Sequence, residues 1–123
     1  MSNELNKLVS QFKLSKKKRL CTWSQYNTVF KQSHKISNKY YILLSCSNKL
    51  QYSRIGIIIS KKYILHAYIR NKHKRIIREH FRLNQNILKI MDYVIIINNK
   101  IKNIHIKELN IYLEKLWQIY KLT

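Results

Sequence analysis

A single two-layer α+β domain is what the sequence predicts, and three observations carry that expectation. Apolar, β-branched runs of strand length recur at "YYILLSC" (40–46), "RIGIIIS" (54–60) and "DYVIII" (92–97). Amphipathic helical patterns lie before, between and after them. The chain has 123 residues, 46% of them hydrophobic, enough for one core and too few for two comfortable ones.

Taken in order, residues 1–18 are polar and run into the basic cluster KLSKKKR, which predicts a poorly ordered start ahead of a domain spanning 19–120. "TWSQYNTVFKQ" (22–32) predicts a short helix: Thr22 and Gln25 stand at capping-box spacing, and Tyr26, Val29 and Phe30 fall on one face. Two strands follow, separated by the polar turn-forming segment SNKLQYS. The unbroken apolar run of the third strand predicts burial on both faces, as when helices cover a sheet. In "IKELNIYLEKLWQIYKL" (106–122), Leu109, Tyr112, Leu113, Leu116 and Tyr120 make the stripe of a core-covering helix. Glu108 near its start and Lys115 and Lys121 towards its end suit the helix dipole.

Charge narrows the function classes. Lys and Arg number 25 against 5 Asp and Glu, a formal charge of +20. Self-repulsion on that scale opposes compaction unless a polyanion neutralises it, either nucleic acid or an anionic membrane surface. Nine Tyr, three Phe and two Trp favour nucleic acid, because unpaired bases stack on such rings. Cys21 and Cys46 have neither metal-site nor redox-pair spacing and read as reduced thiols. The start shows no signal-peptide pattern, and the apolar runs at 55–59 and 93–97 are far too short to span a bilayer. The expectation is a cytoplasmic protein without a membrane partner. Ile, Lys and Asn dominate, with one Gly and no Pro, a bias towards A/T-rich codons that speaks of the genome rather than the fold.

The stretch "AYIRNKHKRIIREHFRLN" (67–84) places six Lys or Arg in the thirteen positions from Arg70 to Arg82. Spaced about 100° apart around a helix, Ile69, His73, Ile76, Ile77 and His80 form one arc with Phe81 at its margin. Arg70, Asn71, Lys74, Arg75, Arg78 and Arg82 form the opposite arc, with the single carboxylate Glu79 at its border. A charged helix face is ordinarily just solvated. Here the sign is nearly uniform and the chain lacks counter-charges, so a phosphate-contacting face is the better reading. Arg can grip phosphate bidentately, and the Asn amide can both donate and accept.

Through "RIGIIISKKYILHAYIRNKHKRIIREHFRLNQ" the sequence resembles the bacterial ribonuclease P protein component family. The matching residues are Ser60, Lys61, Lys62, Arg70, Asn71, Lys72, Lys74, Arg75, Arg78, Glu79, Phe81 and Arg82. The likeness extends to "MDYVIII", "LEKLW" and "RLCTWSQYNTVFKQ", covering roughly residues 19–120. Three departures stand out. Lys72 replaces the second Arg of Arg-Asn-Arg, which keeps charge and loses the guanidinium fork. The segment between Lys62 and Arg70 lacks a Gly-Asn common in the family, and Leu44 takes a strand position often aromatic.

The resemblance implies a small, mostly antiparallel sheet with helices and a left-handed β-α-β crossover through the basic helix, against the usual hand. It also implies the protein subunit of an endoribonuclease holoenzyme that removes the 5′ leader of precursor tRNA. The RNA subunit would hold the catalytic Mg2+ and do the chemistry, with no cofactor bound by the protein itself and one protein per RNA. Arg70, Asn71, Lys72, Lys74, Arg75, Arg78 and Arg82 are then the RNA-subunit contacts. Tyr26, Phe30, Tyr41, Lys61 and Lys62 are the candidates for a cleft gripping the single-stranded leader. Aromatics at helical spacing are ordinarily core, and the resemblance is what turns Tyr26 and Phe30, and less firmly Tyr41, towards stacking. The five histidines have no Ser or carboxylate partner at recognisable spacing, and five scattered acids offer no hard-cation cage. Two rivals remain: an RNA-assembly protein lacking the Ser60–Arg82 signature, and a membrane-surface cationic protein lacking the buried strands.

Overall fold

The structure, a computed structural model, describes residues 14–97 and 105–122. Three helices, α1 (Trp23–Gln32), α2 (Ala67–Asn84) and α3 (Ile106–Gln118), combine with strands β1 (His34–Ser37), β2 (Tyr41–Ser47), β3 (Arg54–Ile59) and β4 (Met91–Ile97). The sheet order is β1-β2-β4-β3. β1 and β4 pair antiparallel with β2, while β3 runs parallel to β4 and reaches it through α2. The sheet is thus mostly antiparallel. β4 sits between β2 and β3, which explains its unbroken apolar run.

Strand alternation sends odd positions of β2, β3 and β4 to one face and even positions to the other. On the odd face Tyr41, Leu43, Ile55, Tyr93, Ile95 and Ile97 meet Ile77 and Phe81 of α2 and Leu109, Leu113 and Trp117 of α3. Phe81 is fully buried, at the centre of the helix's apolar arc rather than its margin. Its ring lies 5.9 Å from Trp117, which stands edge-on to Tyr93 at 5.3 Å. The even face is covered only in part. Val29 of α1 packs there with Leu20, Leu44, Cys46 and Val94, while Tyr26, Ile42, Ile58 and Ile96 stay half-exposed around that cluster.

Local chemistry accounts for the element ends. Thr22 Oγ1 accepts from the Gln25 amide at 3.2 Å, and Gln25 Oε1 accepts from the Thr22 amide at 3.1 Å, the reciprocal capping box. α3 stops at Gln118, and the chain then pairs back as Lys89 N–H donates to Tyr120 O at 2.7 Å and Leu122 N–H to Ile87 O at 2.6 Å. β1 has no counterpart in the expected strands. The basic segment also departs from expectation over residues 14–18. Lys16–Lys18 forms a 3-10 turn, Lys18 Nζ donates to Gln85 Oε1 at 3.0 Å, and Lys17 Nζ lies 5.0 Å from the Tyr52 ring. Residues 1–13 lie outside the described residues. No described helix is long and apolar enough to cross a membrane.

His73 sits fully buried in the α2 core face with neither ring nitrogen hydrogen-bonded. Burial, and then the neighbouring Lys72 charge, lower its pKa. Burial also lowers that of His80, with Lys121 adding to the effect and Glu114 opposing it. A histidine pKa depressed on folding leaves stability intact above the unfolded value of about 6.5, and stability falls as pH drops below it, because the unfolded chain binds protons first. Thermal melts should therefore fall between about pH 6.5 and 5, at most about 1.4 kcal/mol per pH unit for each histidine. His73→Leu should flatten this limb, and a His73→Leu protein with an undiminished slope would move the cause elsewhere.

Candidate nucleic-acid interface

The outward face of α2 and the N-terminal segment enclose a groove of about 550 Å³. Five of the seven expected helix residues line it: Asn71, Lys74, Arg75, Arg78 and Arg82. Arg19, absent from the expected set, lines it too. A parallel bridge to Ile55, reinforced by the Leu20 amide donating to Ile55 O at 2.9 Å, pins Arg19 beside the helix. Its Nε is shielded from solvent and has no hydrogen-bond partner. The signal for it was in the sequence, in the basic cluster whose last residue is Arg19.

Two of the seven, Arg70 and Arg82, have other duties. Arg70 does not line the groove. Its Nη1 donates to the carbonyls of Ile64 at 2.9 Å and Leu65 at 2.7 Å, tying down the turn ahead of α2. Arg82 grips Glu79 bidentately, Nε to Oε2 at 3.0 Å and Nη2 to Oε1 at 2.5 Å, and holds that carboxyl below its ordinary pKa. Lys72 is exposed and lies outside the groove lining.

A second groove of about 400 Å³ opens at β3, where the Tyr26 side chain of α1 reaches over the strand. Tyr26 roofs it, with Lys16, Arg19 and Arg78 among the lining, so Arg19 and Arg78 face both grooves. The Tyr26 ring lies over Gly56: a Cβ built there would stand 2.6 Å from Tyr26 Cε1. Burial raises the Tyr26 pKa, a backbone hydrogen bond from Ile57 and the Arg78 charge opposing it. The Phe30 ring follows one helical turn on, 6.4 Å from Tyr26 and 47% exposed. Val29 roots the helix on this face, Tyr26 packs half-exposed against the same cluster as Ile42, Ile58 and Ile96, and Phe30 stays exposed beside Tyr26.

Tyr41 does not join this cleft. It is 0% exposed on the opposite sheet face among Leu43, Ile97 and the α3 side chains, so no base can stack on it. Burial raises its pKa strongly, and its hydroxyl has no partner. Leu44, at the position often aromatic in the family, does face α1 but is itself buried. Lys61 and Lys62 are exposed in the turn after β3, where the Lys62 amide donates to Ser60 Oγ at 3.1 Å. They line neither groove.

The acids among the described residues are all engaged: Glu79 with Arg82, Asp92 with Arg54, Glu108 with Tyr40, and Glu114 with Lys121. Among the described residues, no group of three or more His, Cys, Asp or Glu could hold a metal ion. A hard cation wants several oxygen ligands at one point, which these separate pairs do not offer. The grooves thus keep a nearly uniform positive sign, suited to phosphates.

Counterion release gives this a test. Lys74→Ala and Arg75→Ala should each weaken RNA binding and shrink the slope of log affinity against log salt by about 0.7–0.9. Arg70→Ala should instead lower the melting temperature, because two loop carbonyls lose their donor. Affinity loss for Lys74→Ala and Arg75→Ala at unchanged slope would show that they act through folding.

The "Ribonuclease P" family model matches residues 14–121. The "Ribonuclease P protein component" of Buchnera aphidicola subsp. Baizongia pistaciae is 43% identical over 110 residues, covering 89% of this chain and 96% of the relative. That of Aliivibrio fischeri is 37% identical over 106 residues, covering 86% and 91%. Among solved structures, the RNase P protein of Thermotoga maritima superposes with a TM-score of 0.75 at 30% identity, covering 85% of this chain and 98% of that one. The Staphylococcus aureus RNase P protein gives 0.77 at 28% identity, covering 83% and 94%.

Proposed function

This chain belongs to the ribonuclease P protein family, whose members serve tRNA 5′ processing together with an RNA subunit, and from that premise we propose how its surfaces divide the work. The α2 groove, with Asn71, Lys74, Arg75 and Arg78 joined by Arg19, binds the RNA subunit through phosphates. The edge of β3 and the α1 flank, with Tyr26 and Phe30, take the single-stranded leader of precursor tRNA, where stacking tolerates any base. Lys61 and Lys62 supply further phosphate contacts from their turn. The RNA subunit holds the Mg2+ and activates the attacking water, one protein serves one RNA, and the holoenzyme acts in the cytoplasm.

The observation that carries this reading is the pair Arg19 and Arg78, which line both grooves and make one continuous cationic path from the helix face to Tyr26. Such a path suits a protein that holds two RNA strands side by side. The test is reconstitution with a ribonuclease P RNA at low magnesium. Cleavage of precursor tRNA at the mature 5′ end should require both subunits. Purified chain that cuts at that position without RNA would overturn the division of labour.

A further inference from the structure

At the start of α2 the chain exposes an aromatic pair, His66 at the N-cap and Tyr68 in the first turn, that neither groove uses. Tyr68 is 72% exposed, Leu65 beside it 74%, and His66 is exposed as well. The His66 and Tyr68 rings lie 5.6 Å apart between centroids, tilted by 30°. Scattered apolar residues are normal on a protein surface. Two rings held side by side at the mouth of a cationic helix are a different arrangement.

We propose that His66 and Tyr68 form a stacking platform for an unpaired base of the ribonuclease P RNA, at the N-terminal end of the basic face. The proposal rests on the reading of α2 as the RNA-subunit helix and adds a base contact to its phosphate contacts. Tyr68 precedes Asn71, Lys72 and Arg75 by three, four and seven positions, so it tops the same helical face. This gives Lys72, which the groove does not use, a place between the platform and Arg75. The platform is also pre-set. Arg70 Nη1 holds the carbonyls of Ile64 and Leu65, and the buried Ile64 anchors the turn, so little ordering entropy remains to be lost on binding. The RNA subunit is the occupant rather than the leader because the platform continues the α2 face. Tyr26 and Phe30 stand on α1, which packs on the other side of the sheet.

The experiment titrates full-length protein against ribonuclease P RNA at several salt concentrations, using wild type, Tyr68→Ala, Tyr68→Leu and Tyr68→Phe. It then measures precursor tRNA binding by each assembled holoenzyme at saturating protein. Tyr68→Ala and Tyr68→Leu should bind the RNA subunit roughly 5- to 150-fold more weakly, the range of one base–aromatic stack. The salt slope should not change, since no phosphate contact is lost, and Tyr68→Phe should bind as wild type. Each saturated holoenzyme should bind precursor tRNA equally well. Unaltered RNA affinity in Tyr68→Ala overturns the proposal, as does a Tyr68→Phe defect equal to that of Ala, which would mean a hydroxyl contact. A loss confined to precursor tRNA overturns it by assigning the platform to substrate. Wild-type protein that fails to bind the RNA would bring down the reading of α2 as well, whereas normal binding by wild type and all three variants would sink the platform alone.

Discussion

Tyr26→Ala should weaken holoenzyme binding of leader-bearing precursor tRNA by roughly 5- to 150-fold and leave mature tRNA nearly untouched, since one base–aromatic stack is worth about 1–3 kcal/mol. The ring is half-exposed, roofs a cationic groove and shares its flank with Phe30, so it offers a π-face beside phosphate-binding charge. Phe30→Ala should act in the same direction. At 47% exposure Phe30 is not what holds α1 to the sheet, a task that falls to the fully buried Val29. Gly56 supplies an independent way to move the same ring. Its missing Cβ would collide with the Tyr26 ring at 2.6 Å, and that ring is the end of a flexible side chain, so Gly56→Ala should displace the ring rather than unfold the strand. Gly56→Ala should therefore reproduce the leader-specific loss with little change in melting temperature. The double variant Gly56→Ala with Tyr26→Ala should lose hardly more than Tyr26→Ala, because contacting residues are not additive. Equal losses for leader-bearing and mature tRNA would show that these rings do not read the leader. A Gly56→Ala protein with full leader affinity would show that the ring's position over β3 is immaterial.

The polar arc of α2 and the shared side of Tyr26, Val29 and Phe30 on α1 were legible because both depend on helical periodicity, which sequence carries directly. A stacking role for the Tyr26 and Phe30 rings is instead what the family resemblance implies. Spacing puts Tyr26, Val29 and Phe30 on one side of α1, but only packing on the sheet separates the fully buried Val29 from the half-exposed Tyr26 and the exposed Phe30. Tyr41 was not legible. In "YYILLSC" apolar residues occupy both faces, so alternation cannot say which tyrosine points inward, and the α3 contacts that decide it lie some seventy residues away in sequence. β1 escaped for a related reason: His34–Ser37 is short and polar, and it becomes a strand only through its register with β2. Arg19 was hidden among the residues of an expected tail, and only its bridge to Ile55 makes it part of the site. Arg70 looked like one more phosphate contact, because a guanidinium that ties loop carbonyls has the same one-letter code as one that faces RNA.

Asp92→Ala should cost about 3–5 kcal/mol of folding stability, the penalty for stripping one partner from a buried ion pair. Asp92 is 4% exposed, accepts from Arg54 Nε at 2.8 Å and Nη2 at 2.6 Å, and takes a further hydrogen bond from Asn48 Nδ2 at 2.9 Å. These contacts link the start of β3 to β4 and to the turn after β2, and their loss leaves a half-buried guanidinium without its counter-charge. Small domains are stable by only about 5–15 kcal/mol, and the charge of +20 works against compaction here, so much of the free variant should be unfolded. Neither residue lines either groove, so the folded variant should bind RNA as wild type does. A ligand that binds only the folded state adds RT ln(1+[L]/Kd), about 4.1 kcal/mol at a thousandfold excess over Kd, comparable to the loss. Asp92→Ala should thus show a low or absent melting transition alone, weakened apparent affinity for the RNA subunit, and near wild-type cleavage once RNA is saturating. Circular dichroism of the free chain and a titration of cleavage rate against RNA concentration measure the two halves of this expectation. Cleavage that stays depressed at saturating RNA would mean that the Arg54–Asp92 link shapes the binding surface itself rather than only the stability of the fold beneath it.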